Sequence, residues 1–359
     1  MKKILIIGSG IVGLELAKEL LAQSNNKITI IEKNQDVCSE TSILNSNIIH
    51  MGFDATPGTL KAILGMQGHN IWKKRYLADK KANNEIIKYA PSQVLGFNED
   101  DVKILDRLLK QGIVNGINSN LLTLNANSSS NKNVSKYLLG VDSYILNVKK
   151  YVTLLLKQWE NNDRIKIIKN CSFVALTTKL FFDGHKDVIP SDFDLIINCA
   201  GHGAQFNIEE TKNFSLSLRK GQYLVCENED NIDVIYFLPP TSLGKGILVA
   251  PSFDNKIIIG PTAENHNDYH NHNTIVLKTE TIQELIATGK KIKPDLNFNI
   301  TSMFAGSRSI EAKNDFHIEW GSEKWINVVG ISSPGLSASP AIAKYVVNMI
   351  QEKELKNKN

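Results

Sequence analysis

The first 34 residues alternate short apolar runs with a glycine-rich turn and a helical pattern. Residues 3–7 form a largely apolar run, which is typical of a buried parallel strand. Apolar residues then recur at helical spacing over 14–21, and residues 28–31 form a second apolar run. The order strand, turn, helix, strand predicts the opening βαβ unit of a parallel sheet.

Three glycines, Gly8, Gly10 and Gly13, fill the turn between the first strand and the helix with the spacing G-x-G-x-x-G. In this context they allow a tight turn, close approach of a pyrophosphate, and close packing of helix on strand. The N-terminus of the helix binds the phosphates, and Glu32, at the end of the second strand, accepts hydrogen bonds from a ribose hydroxyl. The pattern predicts a dinucleotide site without distinguishing FAD from NAD.

Hydrophobic patterning predicts further helices and strands along the rest of the chain. Helices are predicted at 59–76, 98–112, 147–159 and 279–293, and in a final segment that begins in the Gly/Ser turn after residue 330. Strands are predicted at 93–97, 165–168, 173–176, 180–182, 193–197 and 325–329, with an antiparallel group over 219–225 and 236–260.

Two details refine this pattern. The second of these helices is predicted to be capped by Asn98 or Asp100, and the third by Asn147. The stretch 121–134 is dominated by Asn and Ser, a composition typical of loops, and we predict a loop there.

Composition and charge exclude several classes of protein. The chain has 359 residues, enough for two domains, and its net charge of +4 comes from scattered lysines. No segment interleaves basic and aromatic residues, so we predict no nucleic-acid partner. The four cysteines have no metal-ligand spacing, and no apolar run reaches membrane-spanning length. We therefore expect a cytoplasmic protein with free thiols, and the sequence is equally compatible with peripheral membrane contact.

Residues 40–52, ETSILNSNIIHMG, resemble the second flavin-contacting stretch of the superfamily of FAD-dependent amino-acid and glycerol-3-phosphate oxidases. They are most similar to E-T-S-x-x-N-S-G-V-I-H-x-G of the short, soluble bacterial glycerol-3-phosphate oxidases, with Asn47 in place of a glycine. Five further segments resemble the same family in the same order: CAGHGA at 199–204, RKGQY at 219–223, GKGILVAP at 244–251, FAGSR at 304–308 and SPGLSASPAI at 333–342. The resemblance spans nearly the whole chain and implies non-covalent FAD.

The resemblance also implies an α/β fold in two parts. A Rossmann-like FAD-binding domain would be assembled from residues 1–78, 141–205 and 305–359, and a mixed antiparallel-sheet substrate-binding domain from 79–140 and 206–304. Besides the three glycines and Glu32, the residues implied to contact FAD are Ile11, Val12, Lys33, Thr41, Ser42, Asn45, Ser46, Ala200, Gly201, Gly306, Pro334, Gly335, Leu336 and Ser337.

His50 is the candidate general base. A neutral imidazole suits the removal of a hydroxyl proton while a hydride leaves the carbon for the flavin. Spacing alone is also compatible with a histidine that packs at the cofactor edge. The resemblance implies that His50 is the family's catalytic histidine, and that Ser333 lies near flavin and substrate; otherwise Ser333 is a turn-forming serine.

Arg308 and Lys245 are candidates for binding an anionic substrate. Arg308 follows a Gly-Ser turn, where a guanidinium can clamp an anion through two hydrogen bonds, or can form a surface salt bridge. Lys245 lies between two glycines, where it is either a second phosphate ligand or a solvated turn lysine. The resemblance implies that both lie near a substrate phosphate.

The remaining histidines carry no prediction of catalysis. His202 is predicted to be structural. The run at 264–273 contains His266, His270 and His272, but it is rich in Asn and lacks regular ligand spacing, so we predict no metal site.

The implied activity is oxidation of sn-glycerol 3-phosphate to dihydroxyacetone phosphate, with oxygen as electron acceptor and hydrogen peroxide as a product. Two alternatives share the fold: an L-2-hydroxy-acid (2-hydroxyglutarate) oxidase or dehydrogenase, and a glycine-oxidase-like amino-acid oxidase. A third alternative, of another class, is a flavin-binding protein without turnover. The choice between oxygen and a quinone, and the oligomeric state, are open at this stage.

Overall fold

The computed structural model describes residues 1–23, 25–78, 85–128, 131–176, 179–183, 190–240, 246–266, 274–275 and 278–357. The candidate phosphate ligand Lys245 and the histidines His270 and His272 lie outside these ranges. The helices are α1 Ile11–Leu21, α2 Leu60–Ala78, α3 Glu99–Val114, α4 Val148–Trp159, α5 Thr279–Ile292 and α6 Gly335–Lys356.

The strands, in chain order, are β1 Lys2–Ile7, β2 Asn26–Ile31, β3 Ile48–Ile49, β4 Ile87–Tyr89, β5 Ser92–Gly96, β6 Leu122–Ser128, β7 Asn131–Gly140, β8 Tyr144–Leu146, β9 Ile165–Ile168, β10 Ser172–Leu176, β11 Lys179–Asp183, β12 Leu195–Asn198, β13 Leu216–Glu227, β14 Ile235–Phe237, β15 Leu248–Pro251, β16 Lys256–Gly260, β17 Glu264–His266, β18 Ile300–Glu311, β19 His317–Ser322 and β20 Trp325–Val329.

A six-stranded sheet in the order β19-β20-β12-β1-β2-β9 contains the opening βαβ unit. All its pairs are parallel except β19 with β20. The run Ile4–Ile7 is buried because helices α1 and α6 cover one face, and a second apolar cluster that includes Phe173 and Trp325 covers the other. The predicted βαβ unit is confirmed.

A nine-stranded sheet forms the second layer of the molecule. Its order is β17-β13-β16-β15-β14-β5-β7-β6, and β18 also pairs with β13 along nearly its whole length. All its pairs are antiparallel except β14 with β5, so this sheet is mixed, as predicted. Helix α3 packs on one face through Leu105 and Leu108, and α5 packs on the other through Leu285 and Ile292.

The predicted loop at 121–134 is wrong: residues 122–128 and 131–134 of this stretch belong to the paired strands β6 and β7. The hydrogen bonds between paired strands use backbone groups, so Asn and Ser can lie in a strand that is paired with neighbouring strands. Strand β7 lies between β5 and β6, and Leu122, Val134 and Leu138 are buried. The Asn131 side chain contacts the end of α5: its Nδ2 donates to the carbonyl oxygens of Lys291 at 2.8 Å and Ile292 at 3.0 Å.

The predicted domain boundaries stay a prediction. The six-stranded sheet draws its strands from the three segments assigned to FAD binding. Strand β18, however, runs through the predicted boundary between residues 304 and 305 and pairs with β13 of the other sheet. Within the ranges given above, no helix has both the length and the apolar character needed to cross a membrane.

Candidate active site

A cavity of about 390 Å³, the main cavity, lies between the two sheets. This volume is within the range of about 300–1,000 Å³ that is common for cofactor and ligand sites. Its walls come from the ends of β1, β2 and β12, from the segment before β3, from β13 and β18, and from the turn that enters α6. The predicted cofactor residues that line it are Gly8, Gly10, Ile11, Val12, Glu32, Lys33, Thr41, Ser42, Asn45, Ser46, Ala200, Gly201, Gly306, Pro334, Gly335 and Leu336.

The glycine turn is built as its spacing predicts. Gly8 has φ +100°, and a Cβ added there would lie 2.6 Å from the Cys199 carbonyl oxygen. A Cβ added to Gly13 would lie 2.2 Å from the Gly8 carbonyl oxygen, so Gly13 supports the turn from behind the cavity wall. Gly10 lines the cavity, and a Cβ added there would lie in tight contact with Ser42 Oγ at 3.2 Å. These residues leave room for a diphosphate at the start of α1 and therefore fit FAD.

Glu32 presents a fixed carboxylate to this end of the cavity. It is buried, and it accepts hydrogen bonds from the Ser9 backbone N–H at 3.1 Å, from the Ser9 hydroxyl, and from the Asn34 backbone N–H at 2.9 Å. A carboxylate has about four acceptor positions, so it can also accept from a ribose hydroxyl. The sequence did not indicate Ser9 or Asn34.

A cluster of charged groups, Lys33, Glu40 and His202, lies beside Glu32 on the cavity wall. Lys33 Nζ is 2.8 Å from Glu40 Oε1 and 3.2 Å from His202 Nε2, and His202 Nδ1 is 3.5 Å from Glu40 Oε2. Burial alone would raise the pKa of Glu40, but its hydrogen bond and ion pair with Lys33, with help from His202, hold that pKa below the ordinary value. The sequence indicated Lys33 alone as a cofactor residue in this cluster.

The segment 41–46 folds onto both the helix and the second sheet. Ser42 Oγ accepts from the Ile11 N–H at 2.9 Å, and Thr41 Oγ1 donates to the Ser307 carbonyl at 2.6 Å. Gly306 is needed at the crossing with this segment, because a Cβ there would lie 1.9 Å from the Leu44 carbonyl oxygen. The first two contacts join the proposed flavin-binding segment to the start of α1 and to β18.

Asn47, which replaces the family's glycine, keeps a glycine-like backbone with φ +55°. Asparagine tolerates this left-handed region better than most residues. Its N–H donates to Asn45 Oδ1 at 2.7 Å, and its carbonyl accepts from the Leu146 N–H at 2.8 Å. The replacement therefore preserves the local turn that a glycine would form.

His50 lines the main cavity from the end of β3, and its ring centroid lies 5.9 Å from that of Phe237. Its backbone N–H donates to Ser337 Oγ at 2.8 Å. Ser333 also lines the cavity, in the turn that enters α6. Ser337 itself is fully buried behind this turn, so it contacts the backbone of the candidate base rather than the cavity.

Arg308 lines the cavity from β18, directly opposite Arg219 of β13 in the ladder. Burial lowers the pKa of Arg308, the neighbouring Arg219 lowers it further, and Tyr223 and Asp54 oppose the shift. A guanidinium nevertheless stays charged in a protein. The two arginines therefore place two positive charges side by side, an arrangement suited to a dianion.

The sequence did not indicate Arg219 as a candidate ligand, although Arg219 belongs to the segment RKGQY that resembles the family. Its side chain is directed by a hydrogen bond from Nε to Asn265 Oδ1 at 2.8 Å. The next residue, Lys220, is buried and also lines the cavity. Of the histidine-rich run, His266 is described, and its Nε2 lies 3.0 Å from Ser307 Oγ.

A family model described as FAD dependent oxidoreductase matches residues 3–349. The chain belongs to this family. Its cofactor is FAD, and the protein is an FAD-dependent oxidoreductase, as the resemblance indicated. The predicted α/β fold with an FAD-binding part and a mixed sheet is likewise confirmed.

The chain is similar over its whole length to characterised members of this family. It is 33% identical to the glycerol 3-phosphate oxidase of Mycoplasma genitalium over 99% of this chain and 96% of that protein. It is 32% identical to the glycerol 3-phosphate dehydrogenase of Caloramator mitchellensis, over 98% of this chain and 74% of that protein. Among solved structures, the dithionite-reduced L-α-glycerophosphate oxidase of Mycoplasma pneumoniae with FAD bound aligns with a TM-score of 0.86 and 26% identity, covering 98% of this chain and 95% of that one.

Proposed function

We propose that the protein oxidises sn-glycerol 3-phosphate to dihydroxyacetone phosphate, with molecular oxygen as electron acceptor and hydrogen peroxide as second product. One observation carries the proposal: a candidate base, His50, and a pair of opposed arginines, Arg219 and Arg308, line one cavity that also receives the FAD-binding turn. The full-length relatives named above support the same substrate.

FAD, when bound, supplies the acceptor for the hydride that leaves C2 of the substrate. His50 accepts the proton of the C2 hydroxyl, because hydride loss without proton loss would leave a protonated ketone. Ser333, at the turn that enters α6, is proposed to contact the substrate near the flavin. Phe237 packs against the His50 ring, with the ring centroids 5.9 Å apart, and Tyr223 lines the cavity near the arginines.

The arginines define the phosphate end of the site. A phosphate monoester carries close to two negative charges on a single group at neutral pH, whereas each carboxylate of 2-hydroxyglutarate, or the one of glycine, carries a single charge. Arg308 with Arg219 opposite it, and Lys245 as proposed from the sequence, match the dianion better than the monoanion. The positive cluster therefore favours glycerol 3-phosphate over a 2-hydroxy acid or glycine.

We propose that the FAD contacts are those predicted from the sequence, with Glu32 binding the ribose and the start of α1 binding the diphosphate. To these contacts we add three supporting residues. Ser9 and Asn34 hold the Glu32 carboxylate through hydrogen bonds, and Glu40 forms an ion pair with Lys33. The proposed FAD-binding domain keeps the segments 1–78, 141–205 and 305–359. A cytoplasmic location stays a prediction.

The deciding experiment mixes the oxidised holoenzyme anaerobically with glycerol 3-phosphate, L-2-hydroxyglutarate and glycine in turn. We expect glycerol 3-phosphate alone to bleach the flavin absorbance rapidly. Readmission of air should then restore the absorbance and yield one hydrogen peroxide per substrate. Bleaching by 2-hydroxyglutarate or glycine instead would reject the substrate, and slow reoxidation by air but fast reoxidation by a soluble quinone would reject the oxygen acceptor.

A further inference from the structure

Lys220 is a buried lysine of β13 whose ammonium group has no partner among the residues that the structure describes. The residue is 7% exposed, and it lines the main cavity. The acid beside it in the ladder with β17, Glu264, is exposed, and the two residues form no ion pair. A buried ammonium without an opposite charge is costly, so this arrangement indicates a site that an anion completes.

Strand β13 presents Lys220 and the arginine pair on opposite faces. Side chains alternate between the two faces of a strand, and the ladder between β13 and β18 is regular from Leu216 to Val225. Arg219 and Arg308 lie directly opposite each other and share one face, so Lys220 belongs to the other face. Lys220 is therefore placed to contact a different group from the one that the arginines bind.

The face of β13 that carries Lys220 packs against the FAD-binding part of the molecule. Leu216, on the same face, belongs to a small apolar cluster at the carboxyl ends of β12 and β20, with Ala200, Ala204 and Val329. Ala200 and Val329 also line the main cavity. Lys220 is thus directed to the side of the cavity that is formed by the sheet carrying the glycine turn.

A short chain of contacts joins the position of Lys220 to the start of α1. Lys220 lies opposite Ser307 in the ladder. The Ser307 carbonyl accepts from Thr41 Oγ1 at 2.6 Å, and the Oγ of the next residue, Ser42, accepts from the Ile11 N–H at 2.9 Å. Two consecutive residues therefore connect the strand pair that carries Lys220 to the proposed diphosphate site, and the four-carbon stem of a lysine adds reach.

We propose that Lys220 binds the diphosphate of FAD. Its ammonium supplies a positive charge from the second sheet, and this charge complements the free N–H groups at the start of α1. The diphosphate is the anionic part of oxidised FAD, since the flavin, sugar and adenine groups are uncharged. This inference rests on the proposed placement of the diphosphate at the start of α1.

Three other roles for Lys220 predict different measurements. Contact with the flavin ring would make the midpoint potential of the flavin depend on the lysine charge. Contact with the substrate phosphate would make the affinity for inorganic phosphate depend on it. A purely structural lysine would make the FAD-free protein less stable when it is replaced.

The test compares full-length wild type with Lys220→Met, which keeps an unbranched apolar stem and removes the charge. FAD is removed from each protein, and the FAD dissociation constant is measured by fluorescence titration. Lys220→Met should raise this constant about 10–100-fold, the usual effect of losing one charge-assisted hydrogen bond. Lys220→Gln, which also lacks the charge, should do the same and covers the case in which Lys220→Met fails to fold. Lys220→Arg keeps the charge and should bind FAD several-fold more tightly than Lys220→Met.

Three further measurements separate the roles. When saturated with FAD, Lys220→Met should keep the wild-type midpoint potential and the wild-type affinity for inorganic phosphate. When free of FAD, it should unfold at the wild-type temperature or above, because a buried unpaired charge has been replaced by an apolar group. Arg219→Met is the matched control: it removes the neighbouring charge on the opposite face and should weaken phosphate binding while leaving the FAD dissociation constant within about 2-fold.

Several results would overturn the inference. They are an unchanged FAD dissociation constant in Lys220→Met, an equal rise in Arg219→Met, and a Lys220→Arg protein that binds FAD no better than Lys220→Met. A shifted midpoint potential, a lower phosphate affinity or a lower unfolding temperature of FAD-free Lys220→Met would likewise reject the diphosphate role.

The proposed diphosphate site fails separately from this inference. If Gly10→Val loses FAD but Lys220→Met binds FAD as the wild type does, only the role of Lys220 is wrong. If Gly10→Val retains FAD, the diphosphate is not at the start of α1 and the inference about Lys220 fails with that placement. Neither result bears on glycerol 3-phosphate as the substrate, which the anaerobic bleaching experiment tests.

Discussion

The backbone N–H of His50 donates to Ser337 Oγ at 2.8 Å, and this bond ties the candidate base to the C-terminal helix. Ser337 is fully buried, and its hydroxyl also lies 3.4 Å from the Ile48 carbonyl. Helix α2 crosses closely at this point, since a Cβ on Gly68 would lie 2.1 Å from the Ser337 carbonyl oxygen. The position of His50 therefore depends on two helices: α2, which follows it closely in the sequence, and α6, which lies near residue 359.

Ser337→Ala should weaken both the fold and the reaction. The His50 N–H would lose this partner in a buried place, which costs about 1–3 kcal/mol of unfolding free energy. We also expect flavin reduction several-fold slower, measured by rapid mixing without oxygen. Ser339→Ala is the control, because Ser339 is buried on the same helix but donates to the Leu336 carbonyl at 2.9 Å. Equal slowing in both variants would show that helix stability alone is responsible.

Gly10→Val should yield protein without FAD, because the added side chain projects into the part of the cavity proposed for the diphosphate. The ratio of flavin to protein absorbance after purification measures this loss. Gly203→Ala is the matched control: Gly203 also lines the main cavity, and an added Cβ there meets nothing within 4 Å. A Gly10→Val protein with a full complement of FAD would show that this turn is not the diphosphate site.

His50→Asn should retain FAD and bind substrate, yet its flavin should be reduced about 10²–10⁴-fold more slowly, as expected for loss of a general base. The wild-type rate of flavin reduction should fall as pH is lowered and the imidazole becomes protonated, and the variant should lose this dependence. Anaerobic stopped-flow absorbance isolates the step. A variant that bleaches within a few-fold of the wild type would remove His50 from the mechanism.

Lys245→Ala and Arg308→Ala should each weaken the binding of glycerol 3-phosphate by about 1.5–3 kcal/mol, the usual cost of one charge-assisted contact. The measurement compares flavin reduction by glycerol 3-phosphate with reduction by unphosphorylated glycerol at high concentration. Each variant should lose much more of the first activity than of the second. If Lys245→Ala weakens both substrates to the same degree, Lys245 does not bind the phosphate.

Asp142 should make stability fall in acid. Burial alone would raise the pKa of its carboxyl, but hydrogen bonds from His69, Lys73 and Tyr144 outweigh burial and hold the pKa well below its ordinary value. A lowered folded-state pKa stabilises the protein above the unfolded value of about 3.9, and this stabilisation is lost as pH falls below it.

Urea unfolding across pH 3–7 measures this dependence, and Asp142→Asn should flatten the decline below about pH 4 while lowering stability at pH 7 by about 1.5–3 kcal/mol. The exposed Asp254→Asn, in the turn between β15 and β16, serves as control. If the unfolding free energy declined in acid equally in the wild type and in Asp142→Asn, other carboxyl groups would be responsible for the decline.

The features that the sequence predicted well are local ones. The glycine turn, the first strands and the helix caps each depend on residues a few positions apart. Asn98 and Asn147 cap their helices as predicted, accepting from the N–H groups of Asp101 at 2.9 Å and Lys150 at 3.1 Å. Such signals do not depend on the structure of the rest of the chain.

The features that were missed depend on pairing between distant segments. The opposition of Arg219 and Arg308 is a matter of register between β13 and β18, and no periodicity within either strand fixes that register. The pairing of β6 with β7 was missed because many of their side chains are polar. The two strands are held by backbone pairing with each other and by pairing of β7 with β5.

The sheet order has a consequence for synthesis on the ribosome. Strand β1 is synthesised well before its neighbours in the sheet: β12 spans Leu195–Asn198, and β20, the next strand, spans Trp325–Val329. Helix α1 packs against α6, which ends at Lys356. The glycine turn, which we propose as the diphosphate site, is therefore translated long before the parts of the fold that complete it. We expect FAD to be loaded only after α6 has been translated, and a chain truncated before α6 to expose the apolar face of α1 and aggregate.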